Sequence, residues 1–297
     1  MKILNFGSLN YDYTYFVNHM VQPGETLSAK KLEVHCGGKG LNQSIALARA
    51  GISVYHAGMV GVDGDDLVKV CQNNKIDTRF VNYSEGKSGH AVIQVNEHGE
   101  NCILLYSGAN GEITFSQVTK VLESFEEGDL ILLQNEISEM GAIIDLAYMK
   151  KMKIILNPSP FNESLNKCHL EKVSIFVMNE IEGQQITGKH EPTDILNEMK
   201  KKFSDAEVIL TLGTDGVMYS GEKGRYQNKC YQVKTIDTTA AGDSFLGYYI
   251  AGIMSEKTVL EALRQASAAA AIAVTRKGAS PSIPQYEEVE NFLKIHG

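Results

Sequence analysis

The chain has 297 residues, 43% of them apolar and 22% charged, which excludes disordered and fibrous classes. Its 28 Lys and Arg against 36 Asp and Glu leave a net charge of −8. The longest basic run, Lys200-Lys201-Lys202, follows Leu196 and Met199 at helical spacing and reads as a solvated helix face, so no nucleic-acid partner is expected. A small anionic substrate stays open, because local positive potential does not require global positive charge. Five cysteines, an odd number with no CxxC pair, fit reduced thiols in a cytosol better than a zinc or disulfide framework. The apolar start of the chain breaks at Asn5, Asn10 and Asp12, so it is no signal peptide. No run approaches the roughly 18 apolar residues of a membrane span. The expectation is a soluble cytoplasmic protein with no membrane partner.

In chain order, Ile3–Phe6 reads as a buried strand, and residues from about 12 to 35 carry no convincing helix. A helix over Leu41–Ala50 ends at Gly51, where a C-terminal cap is expected. A strand over Ser53–Val60 and a helix over Asp65–Asn73 follow. Residues from about 78 to 107 read as a meander, with His90–Asn96 and Asn101–Tyr106 strand-like. Then come strands at Leu130–Gln134, Lys153–Leu156, Ile175–Met178 and Val208–Leu212, with helices at Met140–Met149 and Thr193–Phe203. Strands alternating with helices predict a mostly parallel sheet covered on both faces. The segments near 12–35 and 78–107 do not fit that alternation. They predict a small separate sheet, either a lid over a site or an ordinary β-insertion. No internal repeat or linker is visible, so residues 1–297 are expected to form one α/β domain with this insertion.

Three clusters carry chemistry. In Gly37-Gly38-Lys39-Gly40-Leu41-Asn42, three glycines around a lysine either let backbone amides approach a ligand or form a flexible turn. This is neither a P-loop nor a Rossmann fingerprint. In Asp237-Thr238-Thr239-Ala240-Ala241-Gly242-Asp243, small residues open a helix that continues through Phe245, Tyr248, Tyr249 and Gly252. Unpaired amides there would hold a phosphoryl group while Asp243 accepts a proton, or Asp243 is only a helix-favouring acid. Thr211-Leu212-Gly213-Thr214-Asp215-Gly216 and Asn179-Glu180-Ile181-Glu182 both follow predicted strands, where open α/β sheets bind ligands.

These clusters, with Gly7-Ser8-Leu9-Asn10-Tyr11-Asp12 and Ala268–Pro284, resemble the ribokinase/phosphofructokinase-B family of carbohydrate kinases over essentially the whole chain. The resemblance implies a ribokinase-like three-layer α/β sandwich with a small β-sheet lid. It also implies ATP-dependent phosphorylation of the 5-hydroxyl of D-ribose. A kinase for deoxyribose, another sugar or a nucleoside, or a non-catalytic sugar sensor, are the alternatives. By the same resemblance Asp243 falls on the catalytic base, and Ala240, Ala241 and Gly242 on the anion hole. Asn10, Asp12, Gly38, Lys39, Asn42 and Glu136 fall on sugar positions. Asn179, Thr211, Gly213, Asp215, Gly216, Gly242 and Ser267 fall on the nucleotide side. Asp237, Thr239, Ala273, Arg276, Gly278 and Ser282 match a monovalent-cation loop, with potassium expected. Magnesium would arrive with ATP, helped through water by Glu182. Tyr11 and Leu41 depart from the family pattern and are expected to reshape the sugar pocket. An exposed lid edge would pair two copies into a homodimer.

Overall fold

The computed structural model describes residues 1–296. The chain begins with β1 (Ile3–Phe6), β2 (Asn10–Phe16), β3 (Lys31–Gly37), α1 (Lys39–Arg49), β4 (Val54–Val60) and α2 (Asp65–Asn73). It continues through β5 (Asp77–Tyr83), β6 (Gly89–Val95), β7 (Asn101–Tyr106), α3 (Phe115–Leu122), β8 (Leu130–Gln134), α4 (Met140–Met149) and β9 (Lys153–Asn157). The second half holds β10 (Ile175–Asn179), α5 (Glu180–Thr187), α6 (Pro192–Lys202), β11 (Glu207–Thr211), β12 (Val217–Gly221) and β13 (Gly224–Asn228). Helices α7 (Ala241–Met254), α8 (Val259–Ala273) and α9 (Tyr286–His296) complete it.

Nine strands form one sheet in the order β13-β12-β11-β10-β9-β8-β1-β4-β5. From β11 to β5 every pairing is parallel, and only the two edge pairings, β11–β12 and β12–β13, are antiparallel. Alternation along each buried strand splits the core. Leu130 and Leu132 of β8 pack with α1, α7 and α8, whereas Ile131 and Leu133 pack with α3, α4 and α6. Strands buried on both faces must be apolar throughout, which is why β8 reads Leu-Ile-Leu-Leu-Gln. Each such side chain contributes roughly 1.5–3 kcal/mol when fully buried. The result is the expected three-layer α/β sandwich.

A second sheet of four strands runs β3-β2-β6-β7, with β2 and β6 parallel and the outer pairs antiparallel. It draws on both segments expected to stand apart, but the structure moves the boundary of the second. Residues 77–83 pair with β4 as the edge strand β5 of the central sheet, so only β6 and β7 of that segment join the small sheet. Phe80 and Val81 of β5 pack on the core while Arg79 faces solvent, the half-exposed pattern of an edge strand. On the small sheet Leu104 is 70% and Tyr106 57% exposed, so much of its apolar surface meets solvent. Among the described residues no helix is long and apolar enough to cross a membrane.

Candidate active site

The strand order reverses beside β1, whose neighbours β4 and β8 come from different parts of the chain. Ligands of open α/β sheets bind beyond the carboxyl ends of strands at such a reversal. The residues after β1 and β8 meet the start of α1 here. Gly38, at φ 92°, follows β3 and opens α1 without a capping side chain. The missing cap comes from Glu136, just beyond β8: its Oε2 accepts the Lys39 amide at 3.0 Å and also the Ser8 hydroxyl. A carboxylate suits the positive end of a helix. Burial nonetheless raises the Glu136 carboxyl above its ordinary range, against the lowering by Ser8 and Lys39.

Asn10, Glu136 and Asn110 line a hollow of about 410 Å³ beneath the small sheet. Asn10 Oδ1 accepts from Asn110 Nδ2 at 2.7 Å, which fixes the Asn10 amide. Asp12 extends along β2, opposite His35 and Ala91. Its carboxylate lies across the bare Cα of Gly37, where any Cβ would collide with it. Burial, then the nearby Glu136 and Asp243 carboxylates, push the Asp12 carboxyl up to about 7, with His35 opposing. Tyr11 and Leu41, expected to reshape the sugar pocket, are not among the residues lining the 410 Å³ hollow. Strand alternation turns Tyr11 away from Asp12, its hydroxyl donating to the Asp63 carbonyl at 2.6 Å, and Leu41 is buried in the core.

A second hollow of about 230 Å³ holds Lys39, Asn179, Glu182, Thr211, Gly242 and Asp243 among its walls. Lys39 links the walls of the two hollows: its amide donates to Glu136, which lines the first, and Lys39 itself lines the second. Burial lowers the Lys39 ammonium, but Asp243, Glu136 and Glu182 outweigh it and hold it above its ordinary value. Asn179 caps α5 reciprocally with Glu182: Glu182 N donates to Asn179 Oδ1 at 2.9 Å, and Asn179 N to Glu182 Oε2 at 3.0 Å.

Asp243 is 8% exposed in the first turn of α7. Its Oδ2 accepts from Asn42 Nδ2 at 3.2 Å and its Oδ1 from Gln43 Nε2 at 2.9 Å. Ala240 takes φ 59°, a left-handed conformation that costs an alanine roughly 1–2 kcal/mol. The first α7 hydrogen bond runs from the Ser244 amide to the Ala240 carbonyl at 2.8 Å, so the Gly242 and Asp243 amides precede the ladder. The Ala241 amide turns instead to the Thr238 carbonyl at 3.2 Å. A side chain at Gly242 would meet open space, so the approach to these amides is clear.

The remaining expected residues fall into two groups. Gly213 and Asp215 form an exposed turn after β11, outside the 230 Å³ hollow. Gly216 and Ser267 converge on Asn228, whose Nδ2 donates to Ser267 Oγ at 3.1 Å and whose carbonyl lies against Gly216. Asp237 joins the other turn: Thr239 N and Oγ1 donate to Oδ1 at 2.9 and 2.6 Å, and Gly278 N to Oδ2 at 2.9 Å. Burial alone would raise this carboxyl, but those donors hold it below the usual range. Ser282 Oγ reaches the Thr239 carbonyl at 3.5 Å. Arg276 points away and pairs with Glu288, and the Ala273 carbonyl is taken by the Arg276 amide at 3.0 Å. The Lys200–Lys201 region lines a surface hollow with Asp194 and Glu198, a mixed-charge helix face as expected.

A family model for pfkB family carbohydrate kinases matches residues 1–286. The chain belongs to the pfkB family. It is a sugar kinase, a transferase of phosphoryl groups to a carbohydrate. Among curated pfkB relatives, a ribokinase of Haemophilus influenzae (strain ATCC 51907 / DSM 11121 / KW20 / Rd) is 36% identical across 97% of each chain. A deoxyribokinase of Salmonella typhi is 30% identical across 100% of both. The solved ribokinase of Giardia lamblia superposes with a TM-score of 0.88 at 28% identity, covering 100% of this chain and 99% of that one. Arabidopsis thaliana ribokinase complexed with ribose and ATP gives 0.85 at 26% identity, covering 99% and 98%.

Gln43, Asn110 and Ser280 went unassigned in the sequence reading. Gln43 stands inside the glycine cluster's helix, but only its distant partners reveal its task. Ser280 donates to Asn42 Oδ1 at 3.2 Å and so ties the turn after α8 to the start of α1.

Proposed function

We propose that the protein transfers the γ-phosphoryl group of ATP to the 5-hydroxyl of D-ribose, giving D-ribose 5-phosphate and ADP. The observation that carries this reading is Asp243, a buried carboxylate in the first turn of α7 that lines the 230 Å³ hollow beside open helix amides. The sugar is held by Asn10, Asp12, Asn42 and Glu136, with Gly38 leaving room for it. The hydroxyl gives its proton to Asp243 as its oxygen bonds to the γ-phosphorus and the bond to the β-phosphate oxygen breaks. Phosphoryl transfer asks a protein mainly for positioning and charge stabilisation. The Gly242 and Asp243 amides, aimed by Ala240 and Ala241, and the Lys39 ammonium supply it. The nucleotide extends toward Asn179, Thr211, Gly213, Asp215, Gly216 and Ser267. The ribose and ATP bound by the Arabidopsis thaliana relative support this pairing of ligands.

Magnesium suits Glu182, because its Oε2 is taken by the Asn179 amide while the side chain still lines the hollow, which fits a role through water. A monovalent cation such as potassium suits the second turn. Asp237 is a charged carboxylate there, tied by the Thr239 hydroxyl and the Gly278 amide to a turn in which Ser282 Oγ meets the Thr239 carbonyl. Arg276 would contribute only its backbone, and the Ala273 carbonyl would share its lone pairs with the Arg276 amide. Adding potassium at constant ionic strength to an organic-cation buffer should raise turnover; no stimulation removes this part.

The exposed apolar faces and free edges β3 and β7 of the small sheet support pairing of two copies through their lids, with closure over the sugar excluding water. Light scattering tests the dimer. All five cysteines are free thiols, in keeping with a cytoplasmic setting. The similarity to a deoxyribokinase favours 2-deoxyribose as the second reading. ADP release across ribose, 2-deoxyribose, hexoses and nucleosides decides between them. Turnover of ribose well above 2-deoxyribose is expected, and the reverse ranking assigns the second sugar.

A further inference from the structure

Behind Asp243 runs a buried polar chain that sugar and nucleotide contacts do not use. Gln43, 1% exposed, donates from Nε2 to Asp243 Oδ1 at 2.9 Å and to Asn157 Oδ1 at 3.1 Å. Its Oε1 accepts from Gln134 Nε2 at 2.6 Å. Gln134 Nε2 also donates to Asn5 Oδ1 at 3.0 Å. Asn5 Nδ2 donates to the Gly40 carbonyl and to Ser44 Oγ, each at 2.7 Å. Ser44 Oγ lies 2.8 Å from His56 Nδ1, and His56 Nε2 lies 3.2 Å from the Gly7 carbonyl.

These contacts dictate which end of each group faces which neighbour. The Gly7 carbonyl requires the proton on His56 Nε2, leaving Nδ1 to accept the Ser44 hydroxyl. Burial pushes the imidazole down to about 4, so it is neutral at pH 7 and keeps that tautomer. Gln134 sits between two acceptors, Asn5 Oδ1 and Gln43 Oε1, and must present its amide hydrogens to both. Its own Oε1 is left buried without a partner among the described residues. Turning Gln134 round would set three acceptor oxygens against one another. An orphaned acceptor destabilises a fold, so the arrangement is kept for what it orients. What it orients is the NH2 end of Gln43, which can face only Asp243 and Asn157.

We infer that Gln43 is a positioning residue for the Asp243 carboxylate, its amide end held in place by Gln134. The inference rests on the reading of Asp243 as the base. With Oδ1 tied by Gln43, Oδ2 is the oxygen left for the sugar hydroxyl, since its 3.2 Å contact with Asn42 is the longer of the two. A carboxylate that loses a donor holds its proton to higher pH.

The test is Gln43→Met, which keeps length and volume but cannot donate. We expect kcat to fall about 10- to 100-fold, the worth of a hydrogen bond to a charged group. The acid limb of the kcat–pH profile should move up by about one unit, with KM for ATP unchanged. Gln134→Met should shift both in the same direction by less, and it serves alone if Gln43→Met fails to fold. An unmoved acid limb, whether or not kcat falls, overturns the positioning role. Asp243→Asn separates the two readings. If it is inactive while the acid limb of Gln43→Met is unmoved, only the positioning role is lost. If it turns over normally, the base assignment itself is overturned.

Discussion

The central sheet and the small sheet are built by opposite rules. In the first, Leu132, Ile155 and Ile209 are wholly buried and the inner strands are covered on both faces. In the second, Val34, Leu104 and Tyr106 stand in solvent, and the aromatic group Tyr13, His90 and Tyr106 packs mainly with itself. Asp243 and its helix amides belong to the first region, whereas Asp12 belongs to the second and Asn10 to the root between them. On the proposed reading, the base is anchored to the region whose inner strands are buried on both faces. The sugar contacts, on the same reading, include a strand of the half-exposed sheet.

The most severe way to test that contrast is to remove the base. Asp243→Asn should lower kcat by about 10²–10⁴-fold while melting temperature and ATP binding stay near the parent's, because general-base catalysis is lost and packing is not. In calorimetry, Asp12→Ala should weaken sugar binding by about 10- to 100-fold and nucleotide binding hardly at all. Equal losses would join the two regions into one site element.

Stability should divide the regions as well. Leu132→Ala in β8 should cost about 2–5 kcal/mol in denaturant unfolding, whereas Leu104→Ala in β7 should stay within about 0.5 kcal/mol. Similar values would mean the small sheet is covered in solution. The pH dependence is subtler. Asp12 holds its proton to about pH 7 in the fold against 3.8 in the unfolded chain, through burial, then Glu136 and Asp243. Its contribution is therefore full below about pH 4 and lost as pH rises through about 7. Asp12→Asn should melt higher than the parent at pH 8, and the gap should close toward pH 4. The smallest effect expected is a slowing of hydrogen exchange in β6 and β7 when sugar is added, with β8 and β9 unchanged.

Much of the central sheet was legible because burial on both faces leaves a continuous apolar run, as in β8 and β10. The hairpin β12–β13 was not, since Gly224–Asn228 is an exposed edge of polar residues with no such run. Strand β5 was placed with the meander for the same reason. At the site, Asp243 was legible from the small residues before it. Gln43 was not, for its meaning comes from Gln134 and Asn157, which lie 91 and 114 residues further along the chain. A contact of that range has no local signature.

The Asp12 carboxylate lying across Gly37 limits how these two positions can vary. Asp12 and Gly37 face each other across neighbouring strands, offset by two residues, and together they fill the space of one side chain. In a library randomised at both positions, a methyl at 37 would tolerate only a residue at 12 too short to reach across. Sugar-dependent growth would therefore select Gly37 wherever Asp12 survives and leave it free to drift wherever Asp12 is gone. The pair would appear in the selected sequences as a one-way dependence rather than as two separately fixed letters.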